Sequence, residues 1–195
     1  MKTSLSILFF ILVFAACNNS STKQAVIDSE KKDSVEKQSF FPVTNYIKGQ
    51  LYEIKNKSIN PLKYTTVNNH TDSAWLKIEA LETAVKEFLY PEIDSVNLIS
   101  LFTETKFADQ TLDAYTFTYD ATVLLPDTMT LKHWDVYIDP ATNNVKRIYL
   151  VKTIEKNKTL QLTWQSNEWC KITTIITDKN GVSSVVKEEK ITWDF

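Results

Sequence analysis

Glycine is scarce in this chain: only Gly49 and Gly181 occur among its 195 residues. Loops that cradle phosphates or dinucleotides need several glycines at close spacing, so that backbone N–H groups can approach the ligand. The composition therefore excludes a P-loop and a dinucleotide-binding fingerprint.

Histidine and cysteine are equally scarce, with two of each. His70 and His133 lie outside any zinc-binding or nucleophile–base motif, and no G-x-S-x-G segment occurs. Cys170 shares a predicted strand face with Ile172, which favours a buried, unreactive thiol. We therefore expect no enzyme, no cofactor and no metal site. The alternative is a pair of catalytic carboxylates of the kind that hydrolyses glycosides. Two such residues can lie far apart in the sequence and meet only in the folded protein, so the sequence does not exclude them.

An excess of basic charge is also absent. The chain has 22 Lys and Arg residues against 24 Asp and Glu residues, and its formal net charge is −2. Proteins attract nucleic acid through a positive field. We therefore expect no nucleic-acid partner.

The chain does have a short apolar run near its start. Lys2 precedes it, residues 5–14 are almost entirely apolar, and Ala15 and Ala16 follow. A membrane span needs about 20 apolar residues, so this run is too short to be one. Its length and its flanks instead predict a secretory signal peptide over residues 1–16.

The segment Phe14-Ala15-Ala16-Cys17 resembles the lipobox of bacterial lipoproteins. The resemblance implies that signal peptidase II cuts before Cys17 and that the thiol carries a diacylglycerol, whose acyl chains anchor the protein in a membrane. Phe14 stands where the family usually has Leu, and an ordinary signal peptide is the alternative. Asn18 stands where Asp favours inner-membrane retention in the family. We therefore expect an outer-membrane lipoprotein of the cell envelope that faces the periplasm.

The residues after the cysteine form a polar segment. Residues 18–39 are rich in Ser, Asn, Lys and Glu and contain no aromatic residue. Such a segment cannot bury enough apolar surface to offset the entropy lost on ordering. We therefore predict a lipidated cysteine and disordered tether over residues 17–39, and a single α+β domain over residues 40–195.

Apolar residues at helical spacing open the predicted domain. A first stripe, from Ile47 to Ile54, predicts one helix. A stronger stripe predicts a second helix, capped by Asp72 or Ser73. Its apolar members are Trp75, Ile78, Leu81, Val85 and Phe88. We expect Trp75 in the core, at the seam between this helix and a sheet.

After about residue 103 the apolar period changes from that of a helix to that of a strand. Tyr115, Phe117 and Tyr119 alternate with other residues, and turn signals such as Asn180-Gly181 separate the later strands. Strands joined by short turns form an antiparallel meander. We predict an α+β fold, with N-terminal helices packed on a curled antiparallel β-meander of about six strands. A lipocalin-like closed barrel is the alternative.

Aromatic and charged residues share one predicted face of this meander. Asp135 and Tyr137 occupy alternate positions of one strand, and Arg147 and Tyr149 do so in the next. They are out of phase with core positions such as Trp134, so they lie on the second face of the sheet. Rings exposed on one surface can stack on a ligand, and this face is our candidate ligand site. Cross-strand pairing without a ligand is the alternative.

The triplet Asp–Ser/Thr–aliphatic occurs four times, which is more often than the composition predicts. It resembles the O-glycosylation sequon that one large group of Gram-negative bacteria uses on exported proteins. The resemblance marks four hydroxyl groups as candidate modification sites: Ser34, Ser73, Ser95 and Thr128. Ser73 and Ser95 also follow aspartates that suit helix N-caps, which is the alternative role of those two triplets.

Together these features predict a membrane-tethered, non-enzymatic envelope lipoprotein that acts as a binding or assembly module. Its expected partners are the membrane, through the lipid anchor at Cys17, and an unknown envelope protein. The alternative is a carrier that holds a small apolar ligand within the curled sheet. An enclosed apolar cavity would favour the carrier, and a filled core would favour the binding module.

Overall fold

Helix α1, Val43–Asn56, is the one long helix of the described chain and lies where the first apolar stripe predicts it. The structure, a computed structural model, describes residues 39–193. Cys17, Ser34, the predicted signal peptide and nearly all of the predicted tether lie outside the described residues. Ile47, Leu51 and Ile54 are buried in α1, because residues spaced by three or four share one helix face.

A nine-stranded antiparallel sheet makes up most of the fold. The strands are β1 (Leu62–Val67), β2 (His70–Trp75), β3 (Phe102–Asp109), β4 (Ala114–Ala121), β5 (Leu131–Ile138), β6 (Val145–Glu155), β7 (Lys158–Gln165), β8 (Trp169–Thr177) and β9 (Ser183–Thr192). Strands β3 to β9 form a continuous meander, and the β1–β2 hairpin then pairs with β9. The last strand of the chain is thereby paired on both sides.

The predicted fold class is wrong. We expected helices packed on about six strands, but nine strands form one sheet and the helices are few and mostly short. The closed-barrel alternative is also wrong, because the strand order runs from β2 at one edge to β3 at the other. The three extra strands are the β1–β2 hairpin and β3, whose residues show weaker alternation than the later strands do.

The predicted second helix is the largest local error. Residues 70–75 form β2, and the rest of the segment breaks into a 3-10 helix (Ile78–Ala80) and the short helices α2 (Leu81–Ala84) and α3 (Lys86–Leu89). Asn68 and Asn69 adopt positive φ angles of 49° and 64°, which suit a tight hairpin turn between β1 and β2. Six residue pairs then join the two strands in an antiparallel register.

The core assignment of Trp75 fails for the same reason. Its side chain is 66% exposed at the end of edge strand β2. Leu81, Val85 and Phe88 are fully buried as predicted, and Ile78 packs against the same core. The apolar stripe therefore marks core residues correctly only after the hairpin ends.

One face of the sheet forms the core together with the helices, and we call it the core face. Trp134 is stacked on Tyr119 at 4.5 Å between ring centroids, and the ring of Phe40 meets Trp134 edge-on at 6.0 Å. Phe88 from α3 meets Trp164 in the same way at 5.3 Å. We call the opposite face, which carries the alternate side chains of each strand, the outer face.

Turn residues connect the strands as their chemistry predicts. Asn143 and Asn167 have positive φ angles of 57° and 65°, between β5 and β6 and between β7 and β8. Gly181, with φ of 81°, turns the chain between β8 and β9. Asn and Gly tolerate this conformation better than other residues do. Within residues 39–193, no helix is long and apolar enough to cross a membrane.

A buried lysine fixes helix α3 to the sheet. The side chain of Lys152, on the core face of β6, is only 2% exposed. Its ammonium group forms an ion pair with the Glu87 carboxylate and donates hydrogen bonds to the backbone carbonyls of Glu87, at 3.1 Å, and Tyr90, at 2.8 Å. Charged groups are buried only with partners of this kind.

Candidate functional site

Two rows of aligned side chains cross the outer face, because directly paired residues of neighbouring strands lie side by side. The Asp135 row takes one residue from each strand: Ser73, Tyr64, Lys190, Lys171, Thr163, Tyr149, Asp135, Thr118 and Thr105. The Arg147 row runs beside it: Trp75, Leu62, Thr192, Trp169, Gln165, Arg147, Tyr137, Thr116 and Phe107. Both rows mix aromatic rings with hydrogen-bonding and charged groups.

The four residues predicted to share a ligand face do lie together on the outer face. Asp135 is directly opposite Tyr149, and Tyr137 is directly opposite Arg147 on the neighbouring strand. The guanidinium carbon of Arg147 lies 5.7 Å from the centroid of the Tyr137 ring, within the range of a cation–π contact. Its Nε also donates a hydrogen bond of 3.2 Å to the side-chain oxygen of Gln165.

A hydrogen-bond network centres on the carboxylate of Asp135. One oxygen accepts a hydrogen bond of 2.6 Å from the Thr118 hydroxyl. The other accepts one of 3.2 Å from the Tyr137 hydroxyl and lies 3.0 Å from Nε2 of His133. Nδ1 of His133 lies 2.8 Å from a carboxylate oxygen of Asp120. The imidazole thus bridges two carboxylates.

These contacts set the charges of the network. The hydrogen bond to Asp135 and the carboxylate of Asp120 raise the pKa of His133 to about 9, against the opposing effect of burial. Burial opposes ionisation of Asp135, but hydrogen bonds from His133 and Thr118 hold its pKa below the ordinary value. At neutral pH both ring nitrogens of His133 carry a proton, so the imidazole is a donor and not a general base.

Sequence reasoning missed the role of His133 and of its partners Asp120 and Thr118. The available signal was the spacing of His133, Asp135 and Tyr137, which places three polar side chains on one strand face. Asp120 and Thr118 lie on β4 and become neighbours only through its register with β5, where they face His133 and Asp135. That register depends on tertiary pairing.

Exposed aromatic rings extend the outer face beyond this network. Trp75 ends the Arg147 row on edge strand β2, and the exposed ring of Phe107 ends it on edge strand β3. Between them, the Lys190 ammonium lies 5.0 Å from the centroid of the Trp169 ring. A small hollow of about 80 Å³ lies beside Tyr137, Arg147 and Gln165. The face therefore offers rings, cations and amide groups at the surface.

The candidate modification sites occupy three different settings. Ser73 is exposed on edge strand β2, Thr128 is exposed in the loop before β5, and Ser95 is half-buried in a turn after α3. The Asp94 carboxylate accepts hydrogen bonds of 2.7 Å from the backbone N–H groups of Val96 and Asn97, which closes this turn. The Asp72-Ser73 pair lies within β2 and the Asp94-Ser95 pair lies in a turn, so neither triplet caps a helix.

The remaining cysteine lies in the core. Cys170 is fully buried on the core face, opposite Trp164 and Ile191 on the neighbouring strands. Burial raises the pKa of its thiol far above the ordinary value. The thiol is therefore protonated and shielded, as the sequence predicts. Within residues 39–193, no group of three His, Cys, Asp or Glu side chains could hold a metal ion.

A second concavity lies on the other side of the sheet. An open cleft of about 790 Å³ separates the segment Thr83–Glu87 from the part of the core face that the helices leave uncovered. We call it the α3 cleft. Apolar side chains of β6 to β9 form its floor, and lysines and glutamates stand around it.

Comparisons of the chain with protein-family models, with curated proteins and with solved structures found no match.

Proposed function

We propose that this protein is a membrane-tethered envelope lipoprotein that acts as a binding or assembly module through the outer face of its sheet. The lipobox-like segment ending at Cys17 supports the tether. The observation that carries the binding role is the clustering of Asp135, Tyr137, Arg147 and Tyr149, with exposed rings at both edges of the same face.

The electrostatics of the outer face suit recognition of a ligand. His133 and Asp135 are both charged at neutral pH and hold each other in place. Ordered charges of this kind cost less entropy on binding than flexible surface side chains do. Exposed rings such as Trp75 add apolar contact area with a specific orientation.

The carrier alternative requires an enclosed apolar cavity within the sheet. The described core is instead filled by large, fully buried side chains, among them Trp134, Trp164 and Phe88. This filled core supports the binding module over a carrier that encloses its ligand. We expect neither a nucleic-acid partner nor a cofactor in this role.

The tether is tested through Cys17. We expect Cys17→Ala to release the protein from the membrane fraction or to leave it unprocessed, because acyl chains supply the anchor. Fractionation and mass spectrometry of the mature N-terminus provide the measurement. A mature chain that begins after residue 17, or that carries no acyl mass on Cys17, would contradict the proposal.

The binding face is tested with a matched pair of exposed aromatic residues. Trp75 on the outer face is 66% exposed, and Tyr52 on helix α1 is 67% exposed. We expect Trp75→Ala and Arg147→Glu to reduce cross-linking to envelope partners in intact cells, while Tyr52→Ala leaves it unchanged. Equal losses for Trp75→Ala and Tyr52→Ala would show that the outer face is not the binding surface.

A further inference from the structure

We propose that the α3 cleft binds a long-chain fatty acid, with its alkyl chain on the apolar floor and its carboxylate among the lysines of the rim. The cleft lies on the core-face side, so this site goes beyond the binding role of the outer face. Its volume of about 790 Å³ is in the range of small-molecule sites.

The floor is apolar because the core face continues past the cover of the helices. Ile154, Leu160, Ile172, Ile176 and Val186 come from four neighbouring strands and all line the cleft. Leu160 and Ile172 belong to the buried core cluster itself, and Ile154 packs against it. A ligand on this floor would extend the core and remove further apolar surface from water.

The rim carries more positive than negative charge. Lys63, Lys86, Lys158 and Lys187 line the cleft together with three glutamates, Glu87, Glu155 and Glu189. The Glu189 carboxylate forms ion pairs with the ammonium groups of Lys63, at 2.6 Å, and Lys187, at 2.9 Å. These three side chains together have a net charge of +1.

The other rim glutamates do not reverse this sign. Glu87 is already paired with the buried Lys152, and Glu155 lies 3.8 Å from Lys158. Lys86 makes no ion pair with any of the described residues, and it lines the cleft from helix α3. The surplus lysines therefore complement an anion.

The cleft combines an apolar floor with a positively charged rim, and this combination selects the class of ligand. A hydrophilic anion would leave the apolar floor in contact with water, and a neutral hydrocarbon would leave the surplus positive charge of the rim without a counter-charge. A single alkyl chain that ends in a carboxylate satisfies both parts at once.

The test is a calorimetric titration of the proposed mature chain, residues 17–195, carrying Cys17→Ser, so that neither an acyl chain nor the apolar run of residues 5–14 competes for the cleft. The ligands are saturated carboxylates of increasing length, below their aggregation concentrations, with the matched alcohol and amine. We expect about fourfold tighter binding for each added methylene that reaches the floor. We also expect the order carboxylate, alcohol, amine from tightest to weakest.

Neighbouring residues of strand β8 supply a matched control. Ile176 lines the cleft, whereas Ile175 points to the outer face, and both are half-buried. We expect Ile176→Glu to weaken carboxylate binding at least tenfold and Ile175→Glu to leave it unchanged. Lys187→Glu on the rim and Lys190→Glu on the outer face form a second pair with the same expectation.

Three results would overturn the proposal: no binding of any carboxylate, an affinity independent of chain length, or an amine that binds as tightly as the carboxylate. An equal effect of Ile175→Glu and Ile176→Glu would also overturn it. The outer-face variants Trp75→Ala and Arg147→Glu should bind the carboxylate normally, so failure of this proposal and failure of the proposed function are distinguishable.

Discussion

Two substitutions in the ion pair between Lys152 and Glu87 should change the free energy of unfolding by different amounts. The Lys152 side chain is 2% exposed and the Glu87 side chain is 31% exposed. Glu87→Gln removes the negative charge and leaves the buried ammonium. Lys152→Met removes the buried charge and replaces it with an apolar side chain of similar length.

The magnitudes follow from the unequal burial of the two partners. Removing one partner of a buried ion pair costs about 3–5 kcal/mol when a charge stays buried without a counter-charge. In Glu87→Gln the carbonyls of residue 87 and Tyr90 still accept from Lys152, so we expect a loss of about 2–3 kcal/mol. In Lys152→Met the partly exposed Glu87 carboxylate can turn to water, so we expect a loss of about 1 kcal/mol or less.

Urea unfolding at neutral pH, with the slope of the transition checked for constancy, measures these differences. We expect the double variant to resemble Lys152→Met, because Gln at residue 87 costs nothing once the ammonium is gone. The double-mutant cycle of Glu87→Gln and Lys152→Met should then give a coupling energy between the two side chains above about 1 kcal/mol. If Lys152→Met were more destabilising than Glu87→Gln, the assignment of the buried charge as the costly partner would be wrong.

Three further perturbations have defined outcomes. Gly49→Ala should raise the free energy of unfolding by about 0.5–1 kcal/mol, because nothing lies within 4 Å of the added Cβ in helix α1; a loss on urea unfolding would contradict this. His133 should titrate by NMR near pH 9. Its contribution to the free energy of unfolding should be fully present below its ordinary pKa of 6.5 and should disappear as the pH rises through about 9. Equal stability of the wild type and His133→Gln at all pH values would refute this. Trp75→Ala should change the free energy of unfolding by less than about 1 kcal/mol, in contrast to a buried Trp such as Trp134, and a loss of about 3 kcal/mol would restore Trp75 to the core.

The β4–β9 region was predictable because its signals are local. The alternation of Tyr115, Phe117 and Tyr119 lies within β4, and the turns at Asn143 and Gly181 lie between observed strands. Shared placement of Asp135 and Tyr137 follows from the two-residue period of a strand. The neighbouring residues on β4, Thr118 and Asp120, were not predictable, because the alternation within a strand does not specify which residue of the next strand lies opposite.

The segment from residue 70 to residue 89 shows where local pattern stops being decisive. Its apolar stripe fits a helix, and its last part does bury Leu81, Val85 and Phe88. Pairing with β1 instead draws residues 70–75 into a strand and leaves Trp75 at the surface. An apolar stripe indicates which side chains are suited to burial. It does not indicate whether the backbone of the segment will pair with a neighbouring strand.

The sequence by itself determined helix α1, the strand periods, the turn residues and the burial of Cys170, because each depends on a few neighbouring residues. Tertiary structure alone decided the pairing of β1 with β9, the edges at β2 and β3, and the bridge from Asp120 through His133 to Asp135. It also decided the α3 cleft, where lysines distant in the sequence surround one apolar floor. These features join residues far apart in the chain, and only the packing of the whole sheet brings such residues into contact.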